Sequence, residues 1–253
     1  MKNRIAGGKP LKTSEIAKAV GVHPNTVRLY EQWGLLQPVP RNKNGYRHYT
    51  EEHLEQMRLA RMALRCEFTE GKIRERAAAI VKAAAFGHFD EALEKAREYL
   101  SHIKNERTKA EEALELCQKW VKGELPEDSG VYFRRSDVAE RLDVSIDVLR
   151  NWERNGLIDI PRTDNNYRIY GSKEMSRLKI IRTLRSAHYS MMAILRMMNR
   201  VDMGQKRDVR GILDTPLPGE DIVSATDRWI STLTETESDA KEVIIQLKKM
   251  MKK

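Results

Sequence analysis

Cysteine is nearly absent, aromatic side chains are scarce, and no apolar run is long. The two cysteines, Cys66 and Cys117, form no CxxC pair, so neither a disulfide framework nor a structural zinc site is expected. Both read as small core residues. His48 and His53 stand five apart across an expected helix start, which suits no metal. Aromatics at 6% leave a thin, aliphatic interior, better matched to amphipathic helices than to one large core. No apolar stretch approaches the roughly 20 residues that cross a bilayer, and no signal peptide opens the sequence. With the cysteine usage, this predicts a cytoplasmic protein with no membrane partner. No nucleophile, base and orienting residue recur together, so no catalytic site, metal or cofactor is expected.

What is abundant is charge. Charged residues make up 33% of the chain, with 46 Lys and Arg against 37 Asp and Glu and a formal charge of +9. A basic excess of this size favours phosphate-bearing partners, although it also serves solubility.

The chain also writes one passage twice. "TVRLYEQWGLLQPVPRNKNGYRHYT" runs from Thr26 to Thr50, and "VLRNWERNGLIDIPRTDNNYRIYG" runs from Val148 to Gly171. Arg28, Glu31, Gly34 and Leu35 recur as Arg150, Glu153, Gly156 and Leu157. Tyr46, Arg47 and Tyr49 recur as Tyr167, Arg168 and Tyr170 after a one-residue deletion. Shared core positions alone would not reproduce the polar ones, so the chain is read as a tandem repeat.

In the first copy Thr13 or Ser14 caps a short helix, "GVH" turns, and "PNTVRLYEQWG" forms a second helix opened by Pro24 and closed by Gly34. The segment from Gln37 to His48, with Asn44-Gly45, reads as a short hairpin or wing. The second copy repeats this order with "RSDVAERL", "DVS" and "IDVLRNWERNG". Each copy is followed by a long helix with an apolar seam spaced alternately by three and four. The first seam runs through Leu93, Ala96, Leu100, Ile103, Arg107, Ala110, Leu114, Cys117 and Val121. The second runs through Ile222, Thr226, Trp229, Leu233, Thr236, Ala240, Val243, Leu247 and Met250. Seams this long signal coiled-coil pairing, and about 30 residues make a rod of about 45 Å. The expected fold is mainly α. A winged helix-turn-helix domain over 10–85 is followed by a long helix over 90–122 and a linker over 123–131. A second winged domain over 132–202 is followed by a long helix over 220–252.

"TVRLYEQWGLL" followed by "GYRHY" resembles the signature of the MerR family of bacterial transcriptional regulators, and the resemblance covers both copies. Leu29 and Asn151 depart from it where an aromatic is usual, and Asn166 replaces the wing glycine. The resemblance implies binding to double-stranded promoter DNA and antiparallel pairing of the long helices. It also implies activation by distorting the promoter spacer, with RNA polymerase as a further partner.

The chemistry of groove recognition points the same way. A recognition helix offers base edges its N-terminal side chains: here His23, Asn25 and Arg28, and in the second copy Ser145, Asp147, Arg150 and Asn151, with Arg154 a turn further on. Arg28 and Arg150 are the leading base readers. Arg47 and Arg168, beside Tyr46 and Tyr167, are expected to clamp phosphates from the wing together with Arg41 and Lys43; a structural role competes for the tyrosines. The two readers differ in charge. Between His23 and Tyr49 the first has a surplus of three positive charges, whereas the second nets zero between Ser145 and Tyr170. Lys173, Arg177, Lys179, Arg182 and Arg185 follow the second reader and offer further backbone contacts.

Two arrangements fit the seams. One chain can form an intramolecular pseudo-dimer with both readers, or two chains can form a homodimer with four. An architectural or excision-type DNA-binding protein and a coiled-coil interaction scaffold are the rival functions. A DNA-binding role would make the protein nucleoid-associated.

Overall fold

A computed structural model describes residues 10–65, 72–125, 131–205, 208–216 and 225–252. Cys66 lies outside the described residues, as do Ile222 and parts of the expected linker. The chain divides into two compact units. One is Met1–Lys104 with Thr234–Lys253, and the other is Asn105–Leu233.

In the first unit α1 (Thr13–Ala19) is opened by Lys12 N donating to Glu15 Oε2 at 2.7 Å. Gly21, at φ +66°, makes the turn into α2 (Pro24–Gln32), where Pro24 fits the first turn because no partner is needed for its missing N–H. Ile16, Ala17, Val27 and Tyr30 form the face these helices share with Leu35 and Leu36. After the wing, Tyr49 bridges back to Leu11. Then α3 (Glu51–Ala63) begins behind Thr50, whose N–H donates to His53 Nδ1 at 3.0 Å. Buried Gln56 donates through Nε2 to Leu35 O (3.0 Å) and to Val81 O of α4 (Ile73–Ala85; 2.8 Å), joining the exit of α2 to both later helices. Residues 89–104 of α5 (Phe89–Val121) belong to this unit, as do residues 234–251 of α11 (Trp229–Met251).

The second unit repeats the plan with α6 (Arg135–Leu142), α7 (Ile146–Arg154), α8 (Ser172–Ser186) and α9 (Met191–Asp202). Arg177 takes the role of Gln56, donating from Nε to Leu157 O at 2.8 Å and binding Asp202 through both terminal nitrogens at 2.7 and 2.9 Å. A short α10 (Val209–Asp214) and a 3-10 turn, Ala225–Arg228, follow. Trp229 is fully buried and donates to Ala187 O at 2.8 Å. The last part of α5 lies in this unit. Ala110 O accepts from Tyr189 Oη at 3.1 Å, and Cys117 Sγ sits 3.8 Å from Met197 Sδ.

Three expectations need correction. The wing hairpins are not strands: among the described residues only isolated bridges occur, Arg41 to Arg47 and Arg162 to Arg168 closing the two wing turns. The second long helix is α-helical from Trp229, with Thr226 inside a 3-10 turn, and the expected positions 220–224 lie outside the described residues. The first seam is shifted. Ala96, Ile103, Ala110, Leu114, Cys117 and Val121 are buried as expected, but Ala92, Tyr99 and Glu106 are buried where Leu93, Leu100 and Arg107 were expected and are only half-buried. Small Ala92 permits closer packing than a leucine would, a preference the larger apolar residues mask in the sequence. On α11 the described seam residues are buried except Met250, which is half-buried.

Candidate nucleic-acid interface

The reading surface begins at the N-terminus of α2. His23 is its N-cap, with Nδ1 accepting from Asn25 N at 3.2 Å, and this end of the helix presents His23, Asn25 and Arg28 to solvent. Arg28 donates to Asn25 Oδ1 at 2.8 Å. In α7 Ser145 is the N-cap, its Oγ accepting from Val148 N at 3.2 Å, and Arg150 is paired with Asp147 at 2.8 Å. Ser145, Asp147, Arg150 and Arg154 are exposed; Asn151 is half-buried. Both readers therefore hold an exposed arginine by a side chain three residues earlier, with an amide in one and a carboxylate in the other. That substitution explains part of the charge difference between them.

Each wing returns beside its recognition helix. Arg41 donates to Gly45 O at 3.2 Å across the first wing turn, and Arg162 donates to Asn166 Oδ1 at 2.9 Å across the second. Gly45 has φ +79° and Asn166 has φ +63°. Asparagine enters the left-handed region more readily than most residues, so the second turn keeps its shape without the glycine. Tyr46 and Tyr167 are 72% and 74% exposed. Neither tyrosine is buried in its wing. Arg41 and Lys43 are exposed as well.

Arg47 and Arg168 do not stand free. Arg47 Nε lies 2.6 Å from Glu31 Oε2 of α2, and Arg168 Nε lies 2.6 Å from Glu153 Oε1 of α7. In the second unit Arg135 adds NH2 to Glu153 at 3.4 Å and Nε to Tyr170 Oη at 3.2 Å. A carboxylate that holds Nε leaves the terminal guanidinium nitrogens for another acceptor, so the pair orients the arginine as well as neutralising it. Glu31 and Glu153 thus belong to the candidate interface, and sequence reading passed them over. The signal was present, because glutamate and arginine recur together in both copies.

A cleft in the second unit is lined by Tyr132, Arg134, Arg135, Tyr167 and Arg168. Tyr132 and Arg134 are exposed beside the wing and were also missed. They precede the repeated passage, where the first copy has Pro10 and Lys12. Tyr132 lies over Gly171; a Cβ there would meet its ring at 3.4 Å.

The basic residues of α8 divide. Lys173 and Lys179 are exposed, but Arg177, Arg182 and Arg185 are committed to protein carbonyls: Leu157 O, Leu142 O (2.6 Å) and Tyr189 O (2.6 Å). These bonds hold α8 against its neighbours. Cys117 is buried, and desolvation pushes its thiol up to about 12. Among the described residues no group of three or more His, Cys, Asp and Glu is placed to hold a metal ion, and no helix is long and apolar enough to cross a membrane.

The model of the MerR HTH family of regulatory proteins matches residues 11–79 and again residues 133–201. The chain is 40% identical over 58 residues to the HTH-type transcriptional regulator CueR of Escherichia coli O6:H1, covering 23% of this chain and 43% of that protein. It is 35% identical over 117 residues to the uncharacterized HTH-type transcriptional regulator PA4778 of Pseudomonas aeruginosa, covering 43% of this chain and 86% of the relative. It is 43% identical over 47 residues to the ZntR homolog of Haemophilus influenzae, covering 19% and 35%. The chain thus spans less than half the length of CueR and of the ZntR homolog. No solved structure matches it. With the two matches falling on the two copies of one reader-and-wing arrangement, the chain belongs to the MerR HTH family of regulatory proteins.

Proposed function

We propose that the protein is a sequence-specific, double-stranded DNA-binding transcriptional regulator in which one chain supplies both readers as an intramolecular pseudo-dimer. The observation that carries this reading is the duplicated surface itself. Each copy sets exposed side chains from the first turns of a recognition helix beside a wing with an exposed tyrosine and an arginine held by a recognition-helix glutamate. The description of the relatives as transcriptional regulators supports the same function.

The make-up of the two units supports the pseudo-dimer. The unit with the first reader contains the end of α11, which follows the second reader. The unit with the second reader contains the end of α5, which follows the first. Each reader is thus completed by the other's long helix, as in an exchanged pair. Two fused readers are free to diverge, whereas a symmetric homodimer must read two matching half-sites. The surplus of three charges in one reader against zero in the other fits an asymmetric operator.

The regulator acts on a promoter by bending and untwisting the spacer so that RNA polymerase engages both hexamers. A deformation on the order of 1–6 kcal/mol is offset by phosphate contacts made on the bent form. Selection of bound sequences from a random duplex pool, followed by footprinting, tests this. One bounded site with two unlike half-sites around a promoter spacer is expected. Cooperative coating of long DNA would assign an architectural role, and no salt-dependent duplex binding would leave only the scaffold reading.

A further inference from the structure

DNA reading does not use one buried polar feature of the first unit. Glu55 of α3 has a side chain only 4% exposed, and α11 supplies partners for both its oxygens. Gln246 Nε2 donates to Oε2 at 2.6 Å, and Lys249 Nζ lies 3.0 Å from Oε1. Arg58, on the same helix as Glu55, lies 3.2 Å from Oε1. About two turns earlier on α11, Asp239 accepts from Arg65. A buried carboxylate is strongly unfavourable unless charged or hydrogen-bonding partners replace its water. The outer face of α3 is therefore chemically selective for what lies on it.

The second unit packs its long helix without this chemistry. Setting Thr50 opposite Gly171, as the repeat requires, puts Ser176 opposite Glu55 and Ser186 opposite Arg65. The helix in that unit is the end of α5. Its buried positions 106, 110, 113 and 117 follow the same alternation of four and three as 236, 240, 243 and 247 of α11. In that register Leu116 takes the place of Gln246 and Lys109 the place of Asp239. A groove in the second unit agrees with the register, because Lys109 and Leu116 line it together with Thr183 and Ser186. Lys109 turns to Glu106 on its own helix, at 2.8 Å.

Exchanging the helices would keep a lysine beside Glu55, because Lys119 takes the place of Lys249, but it would misplace the other polar groups. With α5 on α3, Leu116 would cover the Glu55 carboxylate and Lys109 would meet Arg65. With α11 on α8, Gln246 and Asp239 would face serines. We propose that Glu55, Arg65, Asp239 and Gln246 form a pairing code that admits the end of α11 and refuses the end of α5 at the first reader. The partner it refuses is a second copy of this chain paired like helix with like. The proposal rests on the reading that each reader is completed by the other's long helix.

The test uses the full chain. Asp239→Lys with Gln246→Leu gives α11 the residues of α5, and Glu55→Ser with Arg65→Ser gives the first reader the face of the second. The α11 pair is expected to lower the unfolding temperature by several degrees in the parental background and by much less in the serine background. Equal losses in the two backgrounds overturn the code. If the α11 pair prevents folding of the parental chain, folding restored in the serine background supports the code and failure in both overturns it. Light scattering of the parental protein on one duplex site addresses the exchange reading separately. Twice the mass of one chain there would overturn the intramolecular pseudo-dimer, while the coupling between the two pairs would still decide the code.

Discussion

Arg47 of the first wing is bound through Nε to Glu31 of the recognition helix at 2.6 Å, and Arg168 of the second is bound to Glu153 at the same distance. Each pair ties its wing to its reader, with the arginine aimed by the glutamate. Both pairs are partly exposed, so their contribution to stability is small, and their value lies in orientation.

Replacing Arg47 or Arg168 with alanine is expected to weaken binding to all duplexes and to flatten the dependence of log K on log salt by about one unit of slope, the signature of a lost phosphate contact. Glu31→Gln should act in the opposite sense on non-specific binding. It removes a negative charge near the phosphates and frees the arginine, so non-specific affinity rises while the ratio of specific to non-specific affinity falls. Salt titrations on operator and scrambled duplexes measure both; an unchanged slope in Arg47→Ala would exclude the contact.

Arg28→Ala and Arg150→Ala should each cost about 1 to 3 kcal/mol of specific binding at one half-site and spare most non-specific affinity. Competition assays with half-site variants separate the two readers. Parental affinity in either variant means that arginine does not read a base.

Asn166 stands at φ +63° in a wing turn where the first copy has Gly45. Asn166→Gly should leave stability within about 0.5 kcal/mol, because the strain removed offsets the lost bond from Arg162. Asn166→Val should cost about 1–3 kcal/mol, since a β-branched residue resists the left-handed region. Denaturant unfolding of the two variants measures the difference.

His53 carries a pH dependence. Burial holds its imidazole below its ordinary range, and its Nδ1 accepts from Thr50 N at the start of α3, a bond that protonation would break. The unfolded chain takes up the proton first. Stability from this group is therefore fully present above the unfolded value of about 6.5 and declines as pH falls below it towards the lower folded value. A stability profile between pH 8 and pH 5 should fall for the parental protein and fall less for His53→Gln. Parallel profiles would mean that another group dominates.

Much of this fold was legible because the repeat preserves residues that neither helix propensity nor core packing demands. Arg28 with Arg150 and Tyr46 with Tyr167 emerge as exposed groups on matching elements. What escaped was set by partners distant in sequence. Nothing near Arg177, Arg182 or Arg185 in the chain reveals that main-chain oxygens of Leu157, Leu142 and Tyr189 accept from them. The seam of α5 slipped because leucine and alanine compete for adjacent positions, and bulk is a poor guide where helices approach closely. Glu55 looked like an ordinary charge on a helix surface until α11 supplied Gln246 and Lys249 from the far end of the chain.

α5 runs unbroken for 33 residues and contributes to both compact units, which constrains how its length can evolve. Each inserted residue turns the rest of a helix by about 100°, so one extra residue after Ala110 would swing Leu114, Cys117 and Val121 away from the side they now bury with Ala110 in the second unit. Seven residues restore the angle to within about 20°. Insertions and deletions in this segment should therefore be inherited in sevens, and the helix behaves as a toothed gear rather than a tether.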